Sequence, residues 1–414
     1  MGLPKVEVNP HWSGYRCVLC GKEFGTDWRG FVCDACGIDG ILDATYDYAA
    51  IRAGLPGGEA FPAVGRPDLW RFLPLLPLWP GTAHPSWSLG DTPLHAPERL
   101  RSKLGLPDLY LKDDTGLPSA SLKDRATAMA VADCARLGVE HVAAASTGNA
   151  AASLAVLAAR AGIRTTIYVP AAAPAAKLAQ LELHGAEVVR VEGTYDEAFD
   201  RSLREITARG WYSRNCAHNP LLVEGKKTVA LEIVLARAGR APDAVFVPTG
   251  DGCIVSSVCK GLQEMAELGR LDRIPAVFGV QAAGAAPLAS AWQRAGANAA
   301  GYTPAEALAA IAPVQPETLA DSIGVGIPRN RLKAWSRVAR TGGGFLSVSD
   351  DEIVVAIRLM TEYAGVWAEP SGAAGLAGLV KARRAGLVGA QDTIVVLVTG
   401  HGLKDPLAGL SLRS

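Results

Sequence analysis

Short β-branched runs alternate with alanine-rich segments of helix length along most of this chain, and that rhythm leaves few folds open. The runs are "LYLK" (109–112), "TTIYVP" (165–170), "EVVRVE" (187–192), "AVFVPTG" (244–250), "AVFGVQ" (276–281) and "TIVVLVTG" (393–400). Among them lie helix-length segments at 149–161, 175–184, 195–209, 224–238 and 285–296. Strand, helix, strand at this spacing predicts an α/β fold of parallel sheets covered by helices on both faces. At 414 residues the chain is too long for one core, so two or three domains are expected. There is no internal repeat, and the alanine runs have helical period rather than low complexity.

Charge narrows the partners. Lysine plus arginine and aspartate plus glutamate number 41 each, so no net field draws the chain to nucleic acid or to an acidic membrane. The start "MGLPKVEVNPHW" lacks the apolar core of a signal peptide. No apolar stretch approaches the ~18 residues of a membrane helix, and "FLPLLPLW" (72–79) is short and broken by prolines. A cytoplasmic enzyme is expected.

Eight cysteines in such a chain are not expected to form disulfides. Four are patterned, as Cys17-x-x-Cys20 and Cys33-x-x-Cys36, and each pair runs into glycine in "CVLCG" and "CDACG". Four soft ligands in two tight pairs suit tetrahedral zinc at a closed structural site, with a redox pair or chance spacing as the other reading. Cys134, Cys216, Cys253 and Cys259 are scattered and are read as small buried residues. From there to about Pro97, a proline- and tryptophan-rich stretch reads as an irregular connector.

In open parallel sheets, ligands bind beyond the carboxyl ends of strands, where loops enter helix N-termini. Three such junctions stand out. "TGDGC" (249–253) has the small residues that let backbone amides converge on one phosphate, without the pattern of a nucleotide loop. "STGNA" (146–150) can meet a carboxylate with backbone donors while Asn149 offers an amide, although a Ser/Thr helix cap would explain the serine and threonine alone. "VTGHG" (398–402) puts the Thr399 hydroxyl at a strand end, with His401 read as structural.

The stretch "GLPSASLKDRATAMA" (116–130) then gains a role. Lys123 sits among small residues, where desolvation favours the neutral amine that forms Schiff bases. Asp124 and Arg125 are expected to pin the helix start as a charge pair. A phosphate cup, a carboxylate turn and a reactive amine together fit pyridoxal 5'-phosphate carrying an amino-acid substrate.

The ordered set "SASLKDR", "STGNA", "PTGDG", "EPSGAA" and "TGHGLKD" resembles threonine synthase and its fold-type II pyridoxal-phosphate relatives, and "YRCVLCG" with "LDATYDY" resembles their N-terminal zinc-knuckle segment. The resemblance implies two parallel-sheet α/β subdomains of the tryptophan synthase β-like kind behind a zinc-ribbon-like segment. Their implied bounds are 1–45 for the ribbon, 46–118 with 226–414 for the large cofactor-binding subdomain, and 119–225 for the small one carrying the lysine. It makes Lys123 the Schiff-base and acid–base group. Asn149 would bond the cofactor's phenolic oxygen, and Thr249, Gly250, Asp251, Gly252 and Cys253 would hold its phosphate. Thr399 would face the pyridine nitrogen, and Ser146, Thr147 and Gly148 would receive the substrate carboxylate.

The implied reaction converts O-phospho-L-homoserine and water to L-threonine and phosphate, a carbon–oxygen lyase step in amino-acid biosynthesis. Lys177 matches a lysine that binds the substrate phosphate. The pattern departs at Leu222, where the family has an arginine, and at Ala217, where it has a serine-like residue; Lys226 stands where glutamine is usual. Those departures keep open β-replacement on O-phosphoserine, as in cysteate or cysteine synthases, or a serine/threonine dehydratase. A zinc-ribbon interaction protein that has lost activity is a further reading, opposed by the intact Lys123, Asn149 and Thr399. A homodimer is compatible with all of these.

Overall fold

The computed structural model describes residues 6–55, 61, 68–80, 88–173 and 175–405, without the side chains of 79, 80 and 175–177. The chain forms two compact units: one from 1–90 and 117–226, the other from 91–116 and 227–414.

The first unit holds three sheets. Glu23–Phe24, Trp12–Cys17 and Leu42–Tyr46 make an antiparallel ribbon with Trp12–Cys17 in the middle. Val6–Val8 pairs antiparallel with Leu78–Pro80. The main sheet is parallel throughout, in the order Glu187–Val191, Arg164–Pro170, His141–Ala145, Tyr212–Ser213. Helices Lys123–Leu137, Asn149–Ala161, Ala175–Leu183 and Tyr195–Arg209 connect or cover these strands. Several end at a left-handed glycine, among them Gly138, Gly162 and Gly210, which stops each helix without Cβ strain. Thr194 and Glu197 close a reciprocal cap at the start of Tyr195–Arg209.

In the second unit the order is Gly344–Val348, Ala276–Ala282, Ala244–Pro248, Ile394–Val398, Leu109–Asp113, Leu94–His95. All neighbours are parallel except the last pair. Phe246, Val280, Val396 and Leu111 enter one core with Pro370–Arg384, while Val245, Val247, Val277 and Leu397, on the other face, are also buried. Both faces are therefore covered, which is why these strands read as continuous apolar runs and not as alternating ones.

Residues 46–90, expected with the large subdomain, fall in the first unit; of the stretch expected as an irregular connector, 56–60, 62–67 and 81–87 lie outside the described residues, while 69–78 are largely buried. The physical cause is local. The Tyr46 hydroxyl donates to Glu224 Oε2 at 2.7 Å, and the Asn9 amide nitrogen donates to the carbonyls of Pro74 (2.9 Å) and Leu76 (2.8 Å). Within 69–75, Leu69, Trp70, Phe72 and Leu75 are buried in a short 3-10 helix. The ribbon likewise runs one residue past 45, because Tyr46 pairs with Trp12. Among the described residues no helix is long and apolar enough to cross a membrane.

Candidate active site

Lys123 is the first residue of Lys123–Leu137 and is half-buried. The turn before it is tightly fixed: the Ser119 amide donates to Asp124 Oδ2 at 2.7 Å, and the Ser119 and Ser121 hydroxyls lie 3.3 Å apart. Ala120, between the two serines, takes φ 59°, a left-handed conformation that costs a residue with a Cβ about 1–2 kcal/mol. Asp124 and Arg125 are both fully buried. One turn on, the Thr127 hydroxyl donates toward the Lys123 carbonyl (3.2 Å) and receives the buried Arg214 guanidinium from Nε (3.2 Å) and Nη2 (3.1 Å). Arg214 was not singled out from sequence; "SRNCAHNP" carries no periodic signal to mark it.

Ser146, Thr147 and Gly148 follow strand His141–Ala145, and Asn149 is the first residue of Asn149–Ala161, 5% exposed. The Gly148 amide donates to Ser146 Oγ at 3.2 Å, so the serine caps the turn as well as bordering it. The strand end is held by Asn215, whose Oδ1 accepts from the Ala145 amide at 2.8 Å and whose Nδ2 donates to Ser202 Oγ at 3.0 Å. Asn215 too was missed, for the same reason as Arg214.

In the second unit, Thr249 follows Ala244–Pro248 and Cys253 opens Cys253–Glu267. Thr249 is buried, its hydroxyl donating to the Val247 carbonyl at 2.9 Å. Gly252 has φ 86°, and a Cβ there would stand 2.8 Å from Ala334 Cβ, so only glycine fits. The loop is clamped from outside its own sequence. The Asn330 amide donates to the Asp251 carbonyl (2.9 Å), its side chain to the Gly252 carbonyl (3.1 Å), and the Arg329 amide to Asp251 Oδ1 (3.2 Å). The first amides of a helix have no intrahelical acceptor, so a fixed glycine turn at this helix start suits a phosphate. Thr399 follows Ile394–Val398 and is 6% exposed, and the next residue, Gly400, accepts from the Glu369 amide at 3.0 Å. His401 accepts from the Leu403 amide through Nδ1 at 3.0 Å, a turn-forming role. Cysteines 134, 253 and 259 are buried, while Cys216 is half-buried and takes a bond from Arg214 Nη1 at 3.2 Å. Burial pushes the Cys259 thiol up to about 12.

The ligand atoms of Cys17, Cys20, Cys33 and Cys36 all lie within 4.8 Å of one another. Gly21 and Gly37 take positive φ (78° and 60°), turning the chain back after each knuckle. The hydrogen bond from the Lys22 backbone, followed by one from Cys36, lowers the Cys20 thiol to about 7, while the bond to Cys20 raises Cys36 to about 12. One thiolate thus forms readily, and four clustered thiol ligands are a donor set that fits zinc.

The phosphate-side residues divide. Lys177 lies on Ala175–Leu183 with its side chain outside the described residues. Leu222 is fully buried and apolar, and Ala217 takes φ 64°. Lys226 is fully buried, and its Nζ has no hydrogen-bond partner among the described residues. Beside this stretch, burial pushes His218 down to about 4, so its imidazole is neutral.

Fold and loops define a fold-type II enzyme that uses pyridoxal phosphate. Residues 87–400 match the family described as pyridoxal-phosphate dependent enzyme. The threonine synthase of Methanocaldococcus jannaschii is 35% identical over 95% of this chain and 94% of its own length. That of Methanosarcina acetivorans is 35% identical over 94% and 92%. That of Mycobacterium tuberculosis is 38% identical over 77% and 82%. Among solved structures, threonine deaminase isoform 2 of Solanum lycopersicum superposes with a TM-score of 0.63 at 23% identity, over 77% of this chain and 83% of its own. The Escherichia coli diaminopropionate ammonia lyase gives 0.63 at 16%, over 99% and 96%. The chain belongs to the threonine synthase family.

Two outcomes test this geometry. Replacing Ala120 with glycine relieves the left-handed strain and should stabilise the protein by about 0.5–1 kcal/mol; urea unfolding that shows a loss of stability instead would mean that the methyl group packs usefully. The double change Cys17→Ser, Cys20→Ser should remove bound zinc and lower the melting temperature by roughly 5–10 °C. Metal analysis of freshly purified wild type is the control, and a zinc-free protein with unchanged melting would rule out a structural metal.

Proposed function

We propose that the chain is a threonine synthase, taking O-phospho-L-homoserine and water to L-threonine and inorganic phosphate. The observation that carries this is the pair of archaeal threonine synthases matched at 35% identity over nearly their whole length. Pyridoxal phosphate, when bound, supplies the electron sink that stabilises negative charge at substrate carbon. Lys123 would hold it through its amine and would move protons at the α, β and γ carbons as phosphate leaves and water adds. The Asn149 amide would donate to the cofactor's phenolic oxygen, and the backbone amides of 249–253 would hold its phosphate. Thr399 would present a neutral hydroxyl to the ring nitrogen, which unlike a carboxylate does not stabilise a protonated pyridinium. Ser146, Thr147 and Gly148 fix the substrate carboxylate, and Lys177 with Lys226 meets the leaving phosphate.

Lys226 bears on the choice of substrate. It sits one helical turn beyond Leu222 on Leu221–Ala236, so the two share a stripe of the helix. A cation missing at 222 is thus matched by one gained at 226. A buried ammonium without a partner is costly unless a ligand anion completes it, which favours a phosphorylated substrate over the free serine or threonine of a dehydratase.

Phosphate release from O-phosphohomoserine and O-phosphoserine, measured side by side, tests the reaction; turnover of phosphoserine alone would replace it with β-replacement. Lys123→Ala should abolish turnover and the borohydride-reducible adduct. Mapping of that adduct to another lysine would move the site. Lys226→Met should raise the melting temperature of the substrate-free protein while raising the Michaelis constant for phosphohomoserine by roughly tenfold or more, the value of a charge-assisted contact. An unchanged Michaelis constant would make Lys226 a structural oddity with no part in binding.

A further inference from the structure

The main sheet of the first unit fills one face in two different ways. Side chains alternate along a strand, so His141 shares a face with Ala143 and Ala145, Arg164 with Thr166 and Tyr168, and Glu187 with Val189 and Val191. The register aligns His141 with Arg164 and Thr166 with Glu187. Toward the carboxyl end this face is apolar, and Ala143, Ala145, Tyr168 and Val191 form a core with Ala198, Phe199 and Ile206 of Tyr195–Arg209. Toward the amino end the same face turns polar: His141, Arg164, Thr166 and Glu187 line a cavity of about 410 Å3, joined by Glu205 and Arg209 of the helix. That is the opposite end of these strands from Ser146–Asn149. A polar row where the pattern calls for apolar residues is a local rule broken.

The walls are held in place. The His141 ring lies flat on Trp211, with centroids 3.8 Å apart and planes 3° apart, and the Arg209 guanidinium stands 4.8 Å from the Trp211 ring. The Thr166 hydroxyl donates to Glu187 Oε2 at 3.0 Å and so accepts from His141 Nε2 at 2.8 Å. Tyr168 donates to Glu205 Oε2 at 2.7 Å, and Arg201 to Glu205 Oε1 at 2.8 Å. Burial and Arg164 lower the His141 pKa, which keeps the ring neutral. Two guanidiniums therefore face two carboxylates. Arg164 reaches only Glu140, at 3.9 Å and exposed, and Glu187 is bonded only by Thr166, both among the described residues.

An anion in this cavity would meet two carboxylates, and a cation two guanidiniums. A molecule with both signs a few ångströms apart satisfies both. Arg164 and Glu187 are diagonal neighbours on adjacent strands, roughly 7–8 Å apart at Cα, and their long side chains can converge on one small molecule. We propose that this cavity is a second binding site, for a free α-amino acid held as its zwitterion, with the carboxylate on Arg164 and the ammonium on Glu187. The volume suits a small ligand with some water. The proposal stands on the cavity alone and is independent of the reaction proposed above.

Calorimetric titration of the holoenzyme with the proteinogenic L-α-amino acids, and with the N-acetyl and amide derivatives of any that bind, is the test. Cofactor absorbance follows the Lys123 site separately, and hydrogen–deuterium exchange over 139–143 and 205–211 follows the cavity. At least one amino acid should bind with no change in absorbance and should protect those segments. Neither of its derivatives should do so. Arg164→Ala and Glu187→Gln, both at exposed positions that leave the core intact, should each weaken this binding by about tenfold or more and leave turnover unchanged. Binding unaffected by both variants, no protection by any amino acid, or binding of inorganic phosphate instead would each overturn the proposal.

Discussion

Helix Leu221–Ala236 is buried from 221 to 234 and yet carries Glu224, Lys226, Lys227 and Glu232. Charges taken out of water are costly unless each finds a partner, so the elements around this helix are fixed by the need to supply them. In the first unit Tyr46 reaches Glu224, which ties the ribbon's last strand to the helix. Gly225 lets the Arg125 carbonyl close in, where a Cβ would stand 1.9 Å from it. In the second unit Lys227 meets Glu264 at 2.8 Å, and Glu232 takes Lys112 at 2.6 Å together with the amides of Asp91 (2.9 Å) and Thr92 (3.3 Å). The boundary between the units falls at Lys226. Glu224, Lys227 and Glu232 thus each find their partners within their own unit.

The regular part of the fold was legible because β-branching and period coincide there. "AVFVP" and "IVVLV" are strands wherever they are buried on both faces, and 149–161 and 195–209 match their helices residue for residue. Legibility failed where composition and context disagree. "HVAAA" is a strand made mostly of a helix former, set by its parallel neighbours Arg164–Pro170 and Tyr212–Ser213. "GFLSV" opens on the last of three consecutive glycines and pairs only because Ala276–Ala282 lies beside it. The prolines of 69–80 suggested irregularity, and the chain there is irregular, but Leu69, Trp70, Leu75, Leu76 and Leu78 are buried. Proline density reports backbone freedom and says nothing of packing.

Candidate site residues were legible where a loop type carries the chemistry: a lysine at a helix start, glycines at a strand–helix turn, a threonine at a strand end. The residues that hold those loops were not. Arg214, Asn215 and Asn330 are single polar side chains whose partners lie far off in sequence, so neither period nor spacing marks them. Their burial is the signal, and burial is a property of the fold. The same holds for the polar row at His141, Arg164 and Glu187, which in sequence looks like ordinary strand starts.

Three local rules are broken in the first unit. Ala120 and Ala217 hold left-handed backbone angles that favour glycine, and Lys226 is buried without a partner among the described residues. Each lowers stability, and two of them, Ala120 and Lys226, lie on segments proposed above for binding or chemistry, as expected where function and folding compete. The exchange of an arginine for Lys226 also changes the kind of contact. A guanidinium binds phosphate through a planar fork that fixes its orientation, whereas an ammonium is a compact charge with rotatable donors. If Lys226 meets the leaving phosphate as proposed, charge toward it is kept while its angular constraint is relaxed. On the reading proposed above, selection between phosphorylated substrates of different length would fall to the carboxylate turn at Ser146–Gly148 and to the reach of Lys123, so chain length more than phosphate orientation would decide which substrate reacts.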